Sequence, residues 1–211
     1  MQKAEMDSAK RAHDAAIAVR DRKKIVLDEL NGRRKRIDIA IDIINNGLKY
    51  IFFAEGRLAI EPDGDYYKLL SNGHPVLPKE ISVVERNIIG LCYFFTNIMT
   101  GKSKETAYND EYLIIVDDPV SSYDFENRIG IMSFLKYKLG QFLNGNINSR
   151  AVVMTHDLMT FYDLEKICQE FAADWKRVYP GQAMIYHLWE LKRVLQGTMP
   201  SGLQQWICIR I

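Results

Sequence analysis

The sequence predicts an α/β fold, a lobe built on a parallel sheet and preceded by a long helix and a small β-hairpin. Three observations predict it. A proline-free stretch from Met1 to about Leu48 carries apolar residues at helical spacing among charges of both signs. Two short, continuous apolar runs further along read as buried strands, and a helical segment separates them.

In the first 48 residues, Val19, Val26, Leu30, Ile37, Ile41, Ile44 and Leu48 recur at spacings of seven, four and three. Such a narrow seam on so long a helix marks a coiled-coil element that wants a partner helix. The pattern begins with no capping residue, so that partner is expected upstream. Asn31-Gly32 interrupts the pattern. The pair is either a tolerated weak point costing about 1 kcal/mol or a turn between two antiparallel helices, and one continuous helix is the favoured reading. Arg33, Arg34, Lys35 and Arg36 form a basic cluster whose ordinary role is a solvated helix face; a nucleic-acid contact is the alternative, with no other support.

Residues 49–196 form the lobe. Tyr50-Ile51-Phe52-Phe53 and Arg57-Leu58-Ala59-Ile60 are strand-like, Glu61-Pro62-Asp63-Gly64-Asp65 is a turn, and Tyr66 to Leu70 returns as the second arm of a hairpin. Ser71-Asn72-Gly73, Pro75 and Pro78 make a loop, after which Ile81 to Asn87 opens an apolar helix running to about Thr100. Gly101 to Asp110 is polar. Tyr112 to Val116 is a β-branched run of the kind a fully buried parallel strand shows, and Asp117, Asp118 and Pro119 end it. A helix over Asn127 to Leu143 leads through a polar turn to a second buried strand, Ala151 to Met154, which ends at Thr155-His156-Asp157. Strand, helix, strand in this order is a right-handed βαβ unit, so both polar clusters are expected on one carboxyl edge of the sheet. Residues 197–211 show no pattern and are expected to be an irregular tail.

The charges nearly cancel, with 28 basic and 27 acidic residues in 211, so nothing pulls the whole chain toward nucleic acid or membrane. Cys92, Cys168 and Cys208 lie far apart in apolar stretches, without the spacing of a zinc or redox site, and read as buried thiols. No apolar run approaches the roughly 20 residues that span a bilayer, and the N-terminus is polar; a cytoplasmic protein with no membrane partner is expected.

The paired aspartates carry the chemistry. Two carboxylates delivered by an apolar strand into a crevice are costly unless a cation or phosphate network receives their charge. Mg²⁺ on Asp117, with Asp118 orienting or deprotonating an attacking water, answers that cost; aspartates that merely cap the following turn are the plainer alternative.

Leu113-Ile114-Ile115-Val116-Asp117-Asp118-Pro119-Val120-Ser121-Ser122-Tyr123-Asp124 resembles the joined Walker B and D-loop of ABC-type ATPases. His156, one βαβ unit later, resembles their switch histidine. Ser82 and Glu85, at the start of the apolar helix, resemble the signature segment that contacts a facing subunit's nucleotide. Val83 and Val84 stand where that segment carries glycine, which departs from the pattern at the point of closest backbone approach. Ser82 and Glu85 also form a capping box, an ordinary structural role.

The order of these motifs covers about residues 1 to 190. It is similar to the bacterial AAA/ABC-type ATPases with coiled-coil insertions that include the anticodon nuclease heads, and more distantly to chromosome-maintenance and DNA-repair ATPases. The resemblance implies a partial P-loop NTPase of ABC type, with catalytic roles for Asp118 and His156, a magnesium role for Asp117, and nucleotide contacts for Ser82, Glu85, Ser122 and Asp124. Asp118 replaces the longer glutamate, which suits a water-mediated base.

No Gly-x-x-x-x-Gly-Lys-Ser/Thr occurs. Gly101-Lys102-Ser103 ends like that loop, but Thr96 stands in place of its first glycine. ATP and Mg²⁺ are therefore expected only with a Walker A loop supplied by a separate ATPase half or paired head, and the chain reads as the C-terminal half of a head. The alternative is a non-hydrolytic interaction module or a remnant.

Overall fold

A computed structural model of the chain describes residues 2–63, 66–99, 102–103, 106–120, 125–191 and 204–210, with side chains at 13, 15–32, 37–63, 66–99, 102–103, 106–120 and 127–189. Helix α1 (Gln2–Phe52) runs unbroken through Asn31-Gly32, as favoured, for roughly 75 Å at 1.5 Å per residue. Its last turns are anchored in the core: Ile41, Ile44, Leu48, Ile51 and Phe52 are buried, whereas Val19, Val26, Leu30 and Ile37 are exposed.

The expected strand over Tyr50 to Phe53 is instead the end of α1. Leu48, Ile51 and Phe52 lie three and four residues apart, so continuing the helix puts all three on one buried face. Phe53 at φ 51° and Gly56 at φ 72° then turn the chain out of the helix.

The hairpin is a three-stranded antiparallel meander, β1 (Leu58–Asp63), β2 (Tyr66–Ser71) and β3 (His74–Val76). Glu61, Pro62 and Asp63, expected in the turn, extend β1, with Pro62 opposite Tyr67. Asn72 and Gly73, expected in a loop, take φ 50° and 78° and join β2 to β3 by the left-handed turn that Asn-Gly favours. Asn45 of α1 grips this sheet. Its side-chain amide donates to Ile60 O at 2.9 Å and its carbonyl accepts from Ile60 N at 2.8 Å, so one helix residue serves as an extra rung on β1.

Helix α2 (Val83–Ile98) packs on α1 and sends Phe95 against the rings of Phe134 and Phe142. These two belong to α3 (Phe125–Gly145), which joins β4 (Leu113–Asp117) to β5 (Arg150–Thr155). The two strands pair in parallel, Asp117 opposite Met154, as the βαβ reading requires. Helix α4 (Leu158–Val178) follows, then β6 (Ile185–Leu191) and β7 (Gln204–Arg210). The sheet order is β4-β5-β7-β6, with β7 antiparallel to both neighbours, so the expected irregular tail contributes a central strand.

The expectation that β4 is buried on both faces is corrected. Ile114 and Val116 are buried, while Leu113 and Ile115, on the other face, are 64 % and 53 % exposed. One face of the sheet is covered, in a core with Leu135, Leu139, Phe142 and Leu164; the opposite face stays open along β4. Cys92 and Cys168 are buried thiols pushed up to about 12, chiefly by burial; the Cys208 side chain lies outside the described residues. Among the described residues no helix is long and apolar enough to cross a membrane.

Helices α1 and α3 cross so closely that a Cβ on Gly130 would sit 1.9 Å from Ile51 O. Gly130→Ala is expected to cost about 3 kcal/mol in urea denaturation, the upper end of overpacking penalties. Gly90, in α2, has open space around it, and Gly90→Ala should instead gain about 0.5–1 kcal/mol from helix propensity. Equal effects at the two positions would refute the crossing as the limiting contact.

Candidate functional site

The site is built where β4 and β5 end together. Asp117 closes β4 with an exposed side chain opposite Met154. The next residue continues the parallel pairing, since Asp118 N donates to Met154 O at 2.8 Å, but its φ of +46° swings the chain away from the strand direction. Aspartate enters the left-handed region more readily than most residues, at a cost on the order of 1 kcal/mol, and such strain gathers at functional sites.

That turn carries the Asp118 carboxylate across to the end of β5. Its Oδ2 lies 2.9 Å from His156 Nδ1, and its Oδ1 accepts a longer hydrogen bond, 3.4 Å, from Thr155 Oγ1. At that distance the two side chains form an ion pair whenever the imidazole is protonated. Asp118 is partly exposed and His156 is half-exposed, so the pair faces solvent at the sheet edge. Asp117, Asp118 and His156, predicted from separate stretches of sequence, thus share one edge, and the last two touch.

Behind them sits a second layer that the sequence reading missed. Thr155 is buried; besides donating to Asp118, its hydroxyl accepts from Asp157 N at 3.1 Å. Asp157 N-caps α4, accepting from Thr160 N at 2.7 Å and Thr160 Oγ1 at 2.6 Å. Arg128 of α3, mostly buried, places Nε and one terminal nitrogen 2.9 and 2.8 Å from Asp163 Oδ2 and its other terminal nitrogen 3.5 Å from Asp157 Oδ2. The guanidinium clamps the start of α4 to α3, holding the backbone that presents His156. Asp157 three residues before Thr160, directly after a strand, is a helix-start signal legible in the sequence. Arg128 carried no such signal, because its partners are 29 and 35 residues away and only the fold brings them near.

Burial opposes ionisation of Asp157, but the hydroxyl and amide of Thr160 and the charge of Arg128 outweigh it and hold the carboxyl below its ordinary value of 3.8. A depressed folded-state pKa contributes stability that is full above the unfolded value and is lost as pH falls through the folded one.

Ser82 and Glu85 form the capping box read from the sequence: Glu85 N donates to Ser82 Oγ at 3.1 Å and Ser82 N to Glu85 Oε2 at 2.9 Å. Their hydrogen bonds close on each other at the start of α2, and no hydrogen bond or ion pair among the described residues joins them to Asp117, Asp118 or His156. Ser122 and Asp124 lie outside the described residues. Among the described residues no three His, Cys, Asp or Glu side chains converge as a metal cage. Mg²⁺ is ordinarily held by one or two carboxylates together with substrate phosphates, and the oxygen donors of Asp117 and Asp118 fit that mode.

Parallel strands bring paired aspartates and a histidine to one carboxyl edge, where open α/β sheets ordinarily bind their ligands. The chain belongs to the AAA domain family, whose profile matches residues 1–203. Proteins of that family generally use a nucleotide with Mg²⁺. Over 86 residues the chain is 28 % identical to the uncharacterized chromosomal cassette SCCmec type IVc protein CR006 of Staphylococcus aureus strain MRSA252, a match covering 41 % of this chain and 12 % of that protein. A second Staphylococcus aureus protein of the same description matches to the same extent. The match thus spans about an eighth of the length of these relatives.

Asp157→Asn keeps a good cap while removing the titrating group. Its unfolding free energy, measured by urea titration, should fall less steeply than that of the native chain as pH drops below about 4. Asp157→Ala should in addition lose about 1 kcal/mol near pH 7.

Proposed function

We propose that this chain supplies the magnesium-binding and water-orienting part of a composite ATP site, completed by a Walker A loop from a partner ATPase half or paired head. The contact between Asp118 and His156, beside Asp117 at the carboxyl edge, is the observation that carries this reading. Asp117 is the metal carboxylate in it. Held there, Mg²⁺ would supply positive charge to offset that of the phosphates, the role it has in phosphoryl-transfer sites generally. Asp118 lies within ion-pair reach of the His156 ring, and the same carboxylate is available to orient a water or take its proton. Thr155 and the Arg128 clamp are positioning groups: they hold the two backbones whose ends carry the dyad. Without a full Gly-x-x-x-x-Gly-Lys-Ser/Thr loop, the chain's own residues give the α and β phosphates no backbone cradle. The open apolar face of β4 also supports completion by another structural layer, because parallel sheets are ordinarily covered on both sides.

A second reading, a non-hydrolytic interaction module, is favoured by Val83. It opens α2 with its side chain 60 % exposed, where a phosphate contact would call for glycine. Under that reading Asp117→Asn leaves partner binding unchanged.

Calorimetry with ATP and Mg²⁺ on the chain alone, and on the chain mixed with a Walker A-bearing fragment of an intact family member, tests the first reading. Binding is expected only in the mixture; no binding in either sample would sink it. In an active mixture, Asp118→Asn and His156→Ala are each expected to lower kcat by about 100-fold or more, in the range seen when acid–base groups are removed. Asp117→Asn should raise the Mg²⁺ requirement. Unchanged hydrolysis in all three variants would remove these residues from the chemistry.

A further inference from the structure

The outward face of α3 carries a groove that the ATP site does not use. It runs between the end of α1 and the middle of α4, as a cleft of about 650 Å³ floored by Gly140 and Phe171. Past Tyr50 and Ser133 it continues into a second cleft of about 480 Å³ that reaches Phe53. Small residues open it. Ser133 and Gly140 lie seven apart, two turns along one face of α3, and a Cβ on Gly140 would already sit 3.2 Å from the Phe171 ring. Aromatic rings wall it. Tyr50 of α1 stacks on Tyr137 of α3 with centroids 6.2 Å apart and planes at 27°, and Tyr50, Phe53 and Tyr137 are each between 44 and 67 % exposed. Large rings left in water and gathered along one cleft, rather than scattered over the surface, mark a place of contact.

Hydrogen-bonding character decides what fits. Gln141 Nε2 donates to Tyr137 Oη at 3.1 Å, so the Tyr137 hydroxyl keeps its own hydrogen for an acceptor. Asn46, Ser133 and Asn144 add side-chain donors along the lining. The lysines of the lining, Lys49 and Lys136, are ion-paired with Glu55 and Glu170, which makes the groove rich in donors without net charge. A neutral groove offers a nucleic-acid backbone no counterion release. A docked α-helix satisfies its own carbonyls and wants a continuous apolar stripe, which the interleaved polar groups interrupt. An added β-strand needs an open strand edge, whereas helix side chains and a short turn line this groove. A polyproline II segment differs from all three: its carbonyls are free to accept, its prolines bring no N–H, and their rings pack on aromatic ones. The chain's own Pro75-Val76-Leu77-Pro78 is not free to serve from a second copy. Pro75 pairs with Leu70 in the meander, Leu77 N donates to Glu80, and Pro78 O accepts from Arg86.

We propose that the groove between α1, α3 and α4 binds a proline-rich, uncharged segment of a partner protein in the polyproline II conformation. The site stands apart from the ATP reading and is tested without nucleotide. The isotope-labelled full chain is titrated with decaproline and with a degenerate peptide library of the form Pro-x-x-Pro-x-x-Pro, beside a control library in which alanine replaces every proline, and the resonances are followed by NMR. Shifts should cluster at Ser133, Tyr137 and Gln141, and the proline library should bind at least about tenfold tighter than its control. Ser133→Arg, which fills the waist shared by the two clefts, should weaken binding at least about tenfold with the circular dichroism spectrum unchanged. Tyr137→Phe keeps the ring and removes the donor, and should weaken it about fivefold. No shift in the groove with either proline probe, equal affinity for the alanine control, or binding that survives both substitutions unchanged would overturn the proposal. So would self-association of the chain alone in sedimentation that Ser133→Arg abolishes, since a second copy would then be the occupant.

Discussion

Parallel strands cannot be joined by a tight turn, so the chain between β4 and β5 must leave the sheet, form a helix and return on the same face. That constraint organises the lobe. It places α3 over Ile114, Val116, Ala151 and Val153, and it brings the end of β4 and the end of β5 to one edge. Once Asp117 stands opposite Met154, Asp118 can donate its amide to Met154 O and extend the pairing by one residue. The left-handed turn at Asp118 then needs only to rotate its carboxylate toward the neighbouring strand for it to meet His156.

The second anchor is the lower end of α1. Its buried turns press on α2 and α3, and Asn45 lends its amide to Ile60, so the meander, the helix and the sheet layer form one body. The outer turns are different in kind. They keep apolar residues in water, an arrangement that adds nothing to the lobe's core. A long helix anchored at one end, whose described seam residues further out are exposed, is suited to meeting a partner.

The open face of β4 belongs to the same picture. Alternating burial along a parallel strand is unusual, because such strands are ordinarily packed on both sides. Here Leu113 and Ile115 face outward while Ile114 and Val116 are sealed. Proteins of the AAA domain family, to which the chain belongs, generally use a nucleotide with Mg²⁺. The uncovered face is where the proposed completion by another structural layer would fall.

The sequence by itself determined the long helix, the order strand-helix-strand, the capping box of Ser82 and Glu85, and the residues of the carboxyl edge. These depend on local spacing, and local spacing is what a one-dimensional pattern records. Tyr50 to Phe53 read as a strand because an apolar run of that length is ambiguous until something defines its buried face; packing in the core made it the end of a helix, up to Phe52. Residues 204–210 gave no signal because a central strand's partners, here β5 and β6, lie far off in sequence. The exposure of Leu113 and Ile115, the Arg128 clamp and the contact between Asp118 and His156 were decided by tertiary structure alone, since each is a meeting of groups that only a folded sheet edge brings within reach.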